Sequence, residues 1–346
     1  MNNSSINISE PIKPTLKFTS KMIEHRNFIH KALKNRYLNL KISKCFCGNY
    51  DGEVIENHDA WGLNIPTIIC DNCYSIRSKF FLDDDSIKKF YTEGYYYPHM
   101  FTSGSSKSIG MNLEEYYSSE VRKGKEIIEY IRSNINLNEI ENVIEIGCGA
   151  GGILSHFEKL NLKVFGCDWG EDLIKVGKKN IPKGNFAVGD IDKFQNTKFD
   201  LVILSDFVEH LTNPNKFFDE INSYVNKGKY IYINVPGFFG IGLTRWNCKI
   251  RQYFKIEHTF CHNLNSLNIL MKINGYDSIC GNEYVRSIYK KTEKKEIKID
   301  KKIKNKIKRF ILITKTKNLI LVRTKINFLI LKFISLLIFF KNKLFK

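Results

Sequence analysis

Three groups of residues in this chain have the types and spacing that chemistry needs. Cys45-x-Cys47 and Cys70-x-x-Cys73 are two pairs with 22 residues between them. Thiolates from two such knuckles can close a tetrahedral zinc site, and Gly48 suits the tight turn after the first pair. The single residue between Cys45 and Cys47 departs from the usual two or more, so four reduced structural cysteines remain the alternative. The second group lies in VIEIGCGAGG (143–152), a strand-like run entering a glycine loop with Gly147, Gly149, Gly151 and Gly152. Glycines let a backbone approach a ligand closely, and dinucleotide-binding loops use the same G-x-G-x-x-G spacing. Glu145, two positions before the first glycine, is the discriminating residue: beside a pyrophosphate it repels, beside a cation it attracts. The third group is two Glu-His pairs, Glu209-His210 and Glu257-His258, with His262 and His99 as lone histidines expected at the surface. Imidazole and carboxylate side chains are the usual general bases.

Two further acids end strand-like runs. Asp168 closes KVFGCD, where a carboxylate can accept hydrogen bonds from ribose hydroxyls. Asp190 follows NFAVG, where a polar side chain can meet an adenine amino group. Glu145, Asp168 and Asp190 together suit a cationic adenosyl ligand without phosphates.

The elements that must hold these residues alternate regularly. A helix is predicted over 112–134, strands over 142–146, 163–167, 185–189, 200–205 and 229–235, and helices over 153–160, 172–179 and 215–225. A helix over 265–274 and two strands over 276–280 and 284–289 close the pattern. Strands alternating with helices imply an α/β, doubly wound, mainly parallel sheet, here of seven strands, with the ligand outside the strands' carboxyl ends. Upstream, 14–40 carries a rough apolar stripe for one helix, and TSGSSKSIG (102–110) reads as a linker.

These pieces resemble the class I S-adenosylmethionine-dependent methyltransferases over 140–290. The resemblance rests on EIGCGAGG, the acid of VFGCDWG, the GD of VGDI and DLVILSDFVEHLTNP (200–214). It implies that Trp169 flanks the adenine or ribose, that Ile191 packs on the adenine, and that Ser205 and Asp206 line the methionine end of the cofactor pocket. The stretch IICDNCYSIRSKFFLDDDSIKKFYTEGYYY resembles the zinc-ribbon-like lobe that precedes one group of sugar and glycan methyltransferases. It implies one structural zinc and a substrate-side lobe, with Tyr95–Tyr97 as candidate pocket wall. KIEHTFCHNLNSLNIL (255–270) resembles the segment after the fifth strand in that group, which makes His258 the leading base candidate. An N-P-P-Y segment after the fourth strand is absent, which argues against adenine N-methylation.

The chain has 346 residues and a net charge of +18. Residues 290–346 hold 19 Lys or Arg against 3 Asp or Glu, so nearly all the excess charge sits there and the remainder is close to neutral. The division expected is an extension (1–44), a zinc-ribbon-like lobe with linker (45–110), a methyltransferase domain (111–290) and a basic amphipathic tail (291–346). The most apolar piece of the tail, Ile326–Phe340, has 15 residues, too few for a helix to cross a hydrocarbon core of about 30 Å. Contact with an anionic membrane surface is expected instead, with packing on the body or a partner subunit as the alternative. Nine cysteines, an odd number, and a polar start favour a reducing cytoplasm, with a peripheral position on the inner face of the membrane. The acceptor expected is a small molecule or glycan, methylated on oxygen or carbon. A ribosomal RNA methyltransferase, disfavoured by the near-neutral body, and a non-catalytic scaffold subunit are the rival readings. Oligomeric state stays open.

Overall fold

The computed structural model describes residues 6, 8–15, 18–95, 112–240, 250–297 and 299–324, with side chains as far as Thr316. Among the expectations, His99, Tyr96, Tyr97, the 102–110 linker and Ile326–Phe340 lie outside the described residues.

The chain begins with α1 (Ser20–Lys34), whose first turn is capped by Thr19 accepting from the Met22 N–H. Short strands β1 (Leu40–Ile42), β2 (Gly52–Glu56), β3 (Thr67–Cys70), β4 (Ile76–Ser78) and β5 (Phe80–Leu82) follow, then α2 (Asp84–Thr92). β2, β3 and β4 form an antiparallel ladder, and β1 pairs with β5. Met22, Ile29 and Leu33 of α1 share one apolar cluster with Trp61, Leu82 and Phe90, so α1 is packed into the lobe that follows it.

The second unit opens with α3 (Leu113–Arg132), started by a capping box between Asn112 and Glu115. Then come β6 (Asn142–Ile146), α4 (Ser155–Glu158), β7 (Lys163–Asp168), α5 (Glu171–Asn180), β8 (Asn185–Val188), β9 (Phe199–Ser205), α6 (Pro214–Asn222) and β10 (Val225–Asn234). The chain closes with β11 (Phe260–Cys261), α7 (Leu264–Ile273), β12 (Tyr276–Gly281), β13 (Arg286–Lys291) and α8 (Lys302–Thr324). Seven strands form one sheet in the order β12-β13-β10-β9-β6-β7-β8. β8, β7, β6, β9 and β10 are parallel, while β13 pairs antiparallel with both β10 and the edge strand β12. The expected seven-stranded α/β sheet is therefore present. Its order reverses between β6 and β9, and a ligand crevice opens at such a switch point. α4 is shorter than the 153–160 expected, because Ile153 and Leu154 are buried in the glycine loop and Asn161 (φ 62°) ends the helix.

β11 does not join the large sheet. It extends the lobe ladder, with Phe260 opposite Arg77 and Cys261 opposite Ile76. The segment after β10 is thus a strand of the lobe, and it fastens the lobe to the second unit.

α8 begins inside the region read as tail, yet its start is packed. Ile303, Ile307 and Ile311 are buried against Phe238, Phe239, Tyr253 and Ile69. Its lysines face lobe and edge carboxylates: Lys308 is 2.7 Å from Glu53, Lys304 3.4 Å from Asp71, and Lys306 2.9 Å from Glu283. Ile307 is 0 % exposed. The substitution Ile307→Ala should cost about 2–5 kcal/mol by leaving a cavity. Urea unfolding checks this, and a loss within a few tenths of a kcal/mol would mean that α8 does not contribute to the core.

Candidate functional site

The site is assembled at the carboxyl ends of β6, β7, β8 and β9. Gly147 follows β6 with φ 70°, and a Cβ there would lie 2.6 Å from the Phe207 ring. Gly151 has φ 75° and its Cβ would meet Phe186 at 2.6 Å, so both positions require glycine. The loop is tied across the crevice by Asp168, whose carboxylate accepts from Gly149 N–H at 2.9 Å and from Gly170 N–H at 2.7 Å. From the other side Glu120 of α3 accepts from Ala150 N–H at 3.2 Å and Gly152 N–H at 3.4 Å.

Above this loop lies a cleft of about 920 Å³. Glu145, Gly147, Asp168, Trp169, Asp190, Ser205, Asp206, Glu209, His210, Glu257 and His258 all line it. Gly149 and Gly151 shape the loop behind the wall. Ile191 is buried in the core beneath Asp190 and does not line the cleft. Trp169 donates its indole N–H to Asp190 at 3.0 Å. Asp206 holds a left-handed backbone (φ 51°), a conformation uncommon outside glycine that turns its carboxylate to Lys123 at 2.6 Å.

The carboxylates crowd one another. Burial pushes the Glu145 carboxyl, 2 % exposed, well above the usual range, and the nearby Glu120 carboxylate pushes it further. Burial likewise raises Asp168 and brings Glu120 up to about 7. Glu209, also 2 % exposed, is raised well above the usual range by burial and by Asp206, and among the described residues neither of its carboxylate oxygens finds a hydrogen-bond donor.

The two Glu-His pairs meet. His210 Nδ1 lies 2.9 Å from the Glu257 carbonyl and 3.0 Å from the Tyr91 hydroxyl of α2. The Thr259 hydroxyl lies 2.9 Å from the Glu209 carbonyl and 2.7 Å from the Leu211 carbonyl. His210 and His258 stack edge-to-face with centroids 5.1 Å apart. A carboxylate next to a histidine in sequence raises its basicity only where the two touch. The Glu257 carboxylate instead faces Lys255 at 3.7 Å, and burial drives His258 well below the ordinary imidazole value. His262, expected at the surface, is 1 % exposed and stacks on Phe260.

The four cysteines also converge, away from the cleft. Their sulfurs lie within 4.8 Å of one another, with Cys45 and Cys73 at 3.4 Å and Cys47 and Cys70 at 3.6 Å. A tetrahedral zinc with bonds near 2.3 Å spaces its sulfurs by roughly 3.8 Å, so the donor set fits. The fully buried Arg77 braces the first knuckle by donating to the Tyr50 carbonyl at 2.7 Å and to Ser43 Oγ at 3.0 Å. Ser75 Oγ lies 3.1 Å from Cys45 Sγ and 3.3 Å from Cys73 Sγ, one thiol from each pair.

Residues 115–280 match the family model described as a methyltransferase domain. Together with the seven-stranded sheet and its glycine-loop crevice, this match supports an enzyme of the class I S-adenosylmethionine-dependent methyltransferase type. The chain is similar to phosphoethanolamine N-methyltransferase of Plasmodium falciparum (isolate 3D7), with 28% identity over 194 residues, 43% of this chain and 71% of that protein. Among solved structures it is similar to the plantazolicin methyltransferase BpumL in complex with SAH, at 18% identity, TM-score 0.40, over 58% of this chain and 83% of that one. It is also similar to magnesium protoporphyrin IX methyltransferase (ChlM) from Synechocystis PCC 6803 with bound SAH, at 15% identity, TM-score 0.41, over 61% of this chain and 100% of that one.

Sequence reasoning missed Tyr116, Glu120 and Lys123, which α3 lays along the cleft. Their i, i+4 and i+3 spacing puts them on one helix face, but nothing marks that face as a ligand wall rather than a solvated one. It also missed Lys255, and Thr259 as the stitch between the two Glu-His segments. The substitution Thr259→Val keeps shape and strands two buried carbonyls, so about 1–3 kcal/mol of stability should be lost. Denaturant unfolding measures it, and an unchanged midpoint would show that the stitch is redundant.

Proposed function

We propose that the chain methylates a hydroxyl, or a carbon, of a sugar, nucleotide sugar or glycan intermediate of cell-surface polysaccharide synthesis. The reaction is placed in the cytoplasm, with those basic residues of 291–346 that lie beyond the packed turns of α8 available for the inner membrane surface. The observation that carries the cofactor placement is the crowding of Glu120, Glu145, Asp168, Asp206 and Glu209 around one crevice. Like charges so placed cost free energy, and a sulfonium cation among them offsets that cost. In this reading Glu145 and Asp168 anchor the cofactor, Trp169 and Asp190 border the adenosine, and Ser205 and Asp206 border the methionine end. Ile191 supports the adenine side from behind. S-adenosylmethionine held there would supply a methyl group to the acceptor oxygen, and the hydroxyl proton would pass to a base. His258, lying in the cleft and held neutral by burial, is in the accepting form across physiological pH.

The acceptor end supports a hydroxyl-rich partner. Its wall includes Lys41, Asp84, Thr212, Asn213, Gln252 and Lys255, all able to bond sugar hydroxyls. An acidic crevice disfavours the nucleic-acid reading, since phosphate tracks want positive charge. The cysteine cluster is assigned one structural zinc. Cys45, Cys70, Cys73 and Phe46 sit in the same apolar core as the large sheet, and Asn215 of α6 donates to the Phe46 carbonyl at 2.7 Å. The ion would therefore brace the junction between lobe and domain. A small phosphorylated amine is the rival acceptor, favoured by the likeness to phosphoethanolamine N-methyltransferase. Product detection with nucleotide sugars and with phosphoethanolamine separates the two, and methylation of the amine alone would overturn the sugar reading.

Carboxyls whose folded pKa exceeds the unfolded value stabilise the fold below the unfolded pKa. That stability is lost as pH rises through the folded pKa. For Glu120 the window runs from the ordinary 4.5 up to about 7. The empty protein should therefore lose stability across it, and binding a cation should release protons. Calorimetry at about pH 6.5 in two buffers of different ionisation heat measures the release. Proton uptake would place the cation elsewhere. In the same titration Asp168→Ala should weaken S-adenosylmethionine binding by about 1.5–3 kcal/mol, the value of hydrogen bonds to a charged acceptor.

A further inference from the structure

Glu209, His210 and His258 each offer one ligand atom within 4.8 Å of the others, in the wall of the cleft. We propose that these three residues hold one divalent cation at the acceptor end of the site. Three observations lead there. First, Glu209 is 2 % exposed, and among the described residues neither of its carboxylate oxygens has a hydrogen-bond donor. A buried carboxylate with no donor is costly, and a cation removes the cost. Second, the neighbouring ammonium groups are engaged by other acids: Lys123 lies 2.6 Å from Asp206, and Lys255 lies 3.7 Å from Glu257. Third, the tautomer of His210 is fixed. A carbonyl can only accept, so Nδ1 carries the proton that it donates to the Glu257 carbonyl at 2.9 Å. The lone pair is then on Nε2, which lies 3.9 Å from Glu209 Oε1. A histidine whose far nitrogen is tied to a backbone carbonyl is the usual arrangement of a metal ligand.

Two imidazoles and one carboxylate suit Mn, Fe(II), Co or Zn and leave positions open for oxygen ligands. Bonds of about 2.0–2.2 Å bring ligand atoms about 3–4 Å apart, so side-chain rotations of under an ångström close the site. The open positions face the same cleft as Lys41, Gln252 and the lobe wall. An acceptor with two adjacent oxygens would bind there through both, a role that rests on the hydroxyl reading above; the cation site itself does not. In that complex His258 would be a ligand of the cation, and water would take the hydroxyl proton in its place.

The test uses the full chain, loaded beforehand with one equivalent of zinc for the four thiols, and titrated with Mn²⁺ under electron paramagnetic resonance. Wild-type protein should remove one Mn²⁺ per chain from the free six-line signal. Cys70→Ser, prepared without added zinc, should still do so. Glu209→Gln, which relieves the buried charge and keeps its shape, should bind at least about tenfold more weakly, as should His258→Ala. Thermal melts confirm that both variants fold. Mn²⁺ left free by the wild type, or bound equally by folded Glu209→Gln and His258→Ala, would overturn the site. S-adenosylmethionine binding, measured in parallel, reports on the methyltransferase reading separately.

Discussion

The architecture depends on how one short segment, 254–262, is held from three directions at once. Its backbone pairs with β4 of the lobe through Phe260 and Cys261. Its Thr259 hydroxyl reaches the carbonyls of Glu209 and Leu211, and its Glu257 carbonyl receives the His210 imidazole. At its start, Ala60 of the lobe donates to the Phe254 carbonyl at 2.7 Å. Each contact is worth about 1 kcal/mol net, but each also prevents a buried carbonyl or amide from going unpaired, which costs more. The segment therefore cannot shift without breaking several bonds together. That rigidity positions His258 opposite His210, and it makes the lobe a wall of the cleft rather than an appendage. α2 completes the wall through Tyr91, which touches both His210 and the Trp169 ring.

The second constraint is electrostatic. A fold that places Glu145, Asp168, Asp206 and Glu209 within one crevice spends stability to do so. Asp168 recovers part of the cost by bonding two backbone N–H groups, and Asp206 by pairing with Lys123. Glu145 and Glu209 recover least, and both are almost wholly buried. Unsatisfied acids at the carboxyl ends of β6 and β9 have a direction: they ask for positive charge inside the cleft. A strand-end acid such as Asp200, by contrast, sits at the opposite end of β9, where the backbone of Glu141 and Asn142 satisfies it.

Much of this was legible in the residues. Short, apolar, β-rich runs bounded by Gly, Asn and Asp located all seven strands of the large sheet. Glu145, Asp168 and Asp190 were legible because strand ends are the one place where local sequence fixes which way a carboxylate points. The convergence of Glu209-His210 with Glu257-His258 was not legible. It is set by β11 pairing with a lobe strand some 180 residues upstream, a contact of high sequence separation that no local pattern encodes. His262 was misjudged for the same reason. An imidazole in a polar-looking stretch reads as exposed, and only the stacking of Phe260 beneath it shows that the stretch is interior. Ile191 follows Asp190 at the start of a short 3-10 turn, and that turn points it into the core.

The basic C-terminal region shows why a charge count alone is a weak guide to partners. Read as sequence, the excess of Lys and Arg after residue 290 points outward, toward phosphate. In the structure the first turns of α8 spend several of those charges inward. Lys304 and Lys308 lie against Glu53 of β2, and Lys306 against Glu283. The isoleucines between them recur at 303, 307 and 311, a helical spacing that buries one stripe while the lysines flank it. Lysine stems can cover apolar surface while their ammonium groups reach acids at the rim. Amphipathic sequence thus has two uses along a single helix. Its start is matched to an apolar patch with acids around it, made by the lobe and the segment after β10. Only charge beyond that patch is available to a surface elsewhere, so any membrane attraction has to be counted from the residues that follow α8's packed turns, not from residue 291.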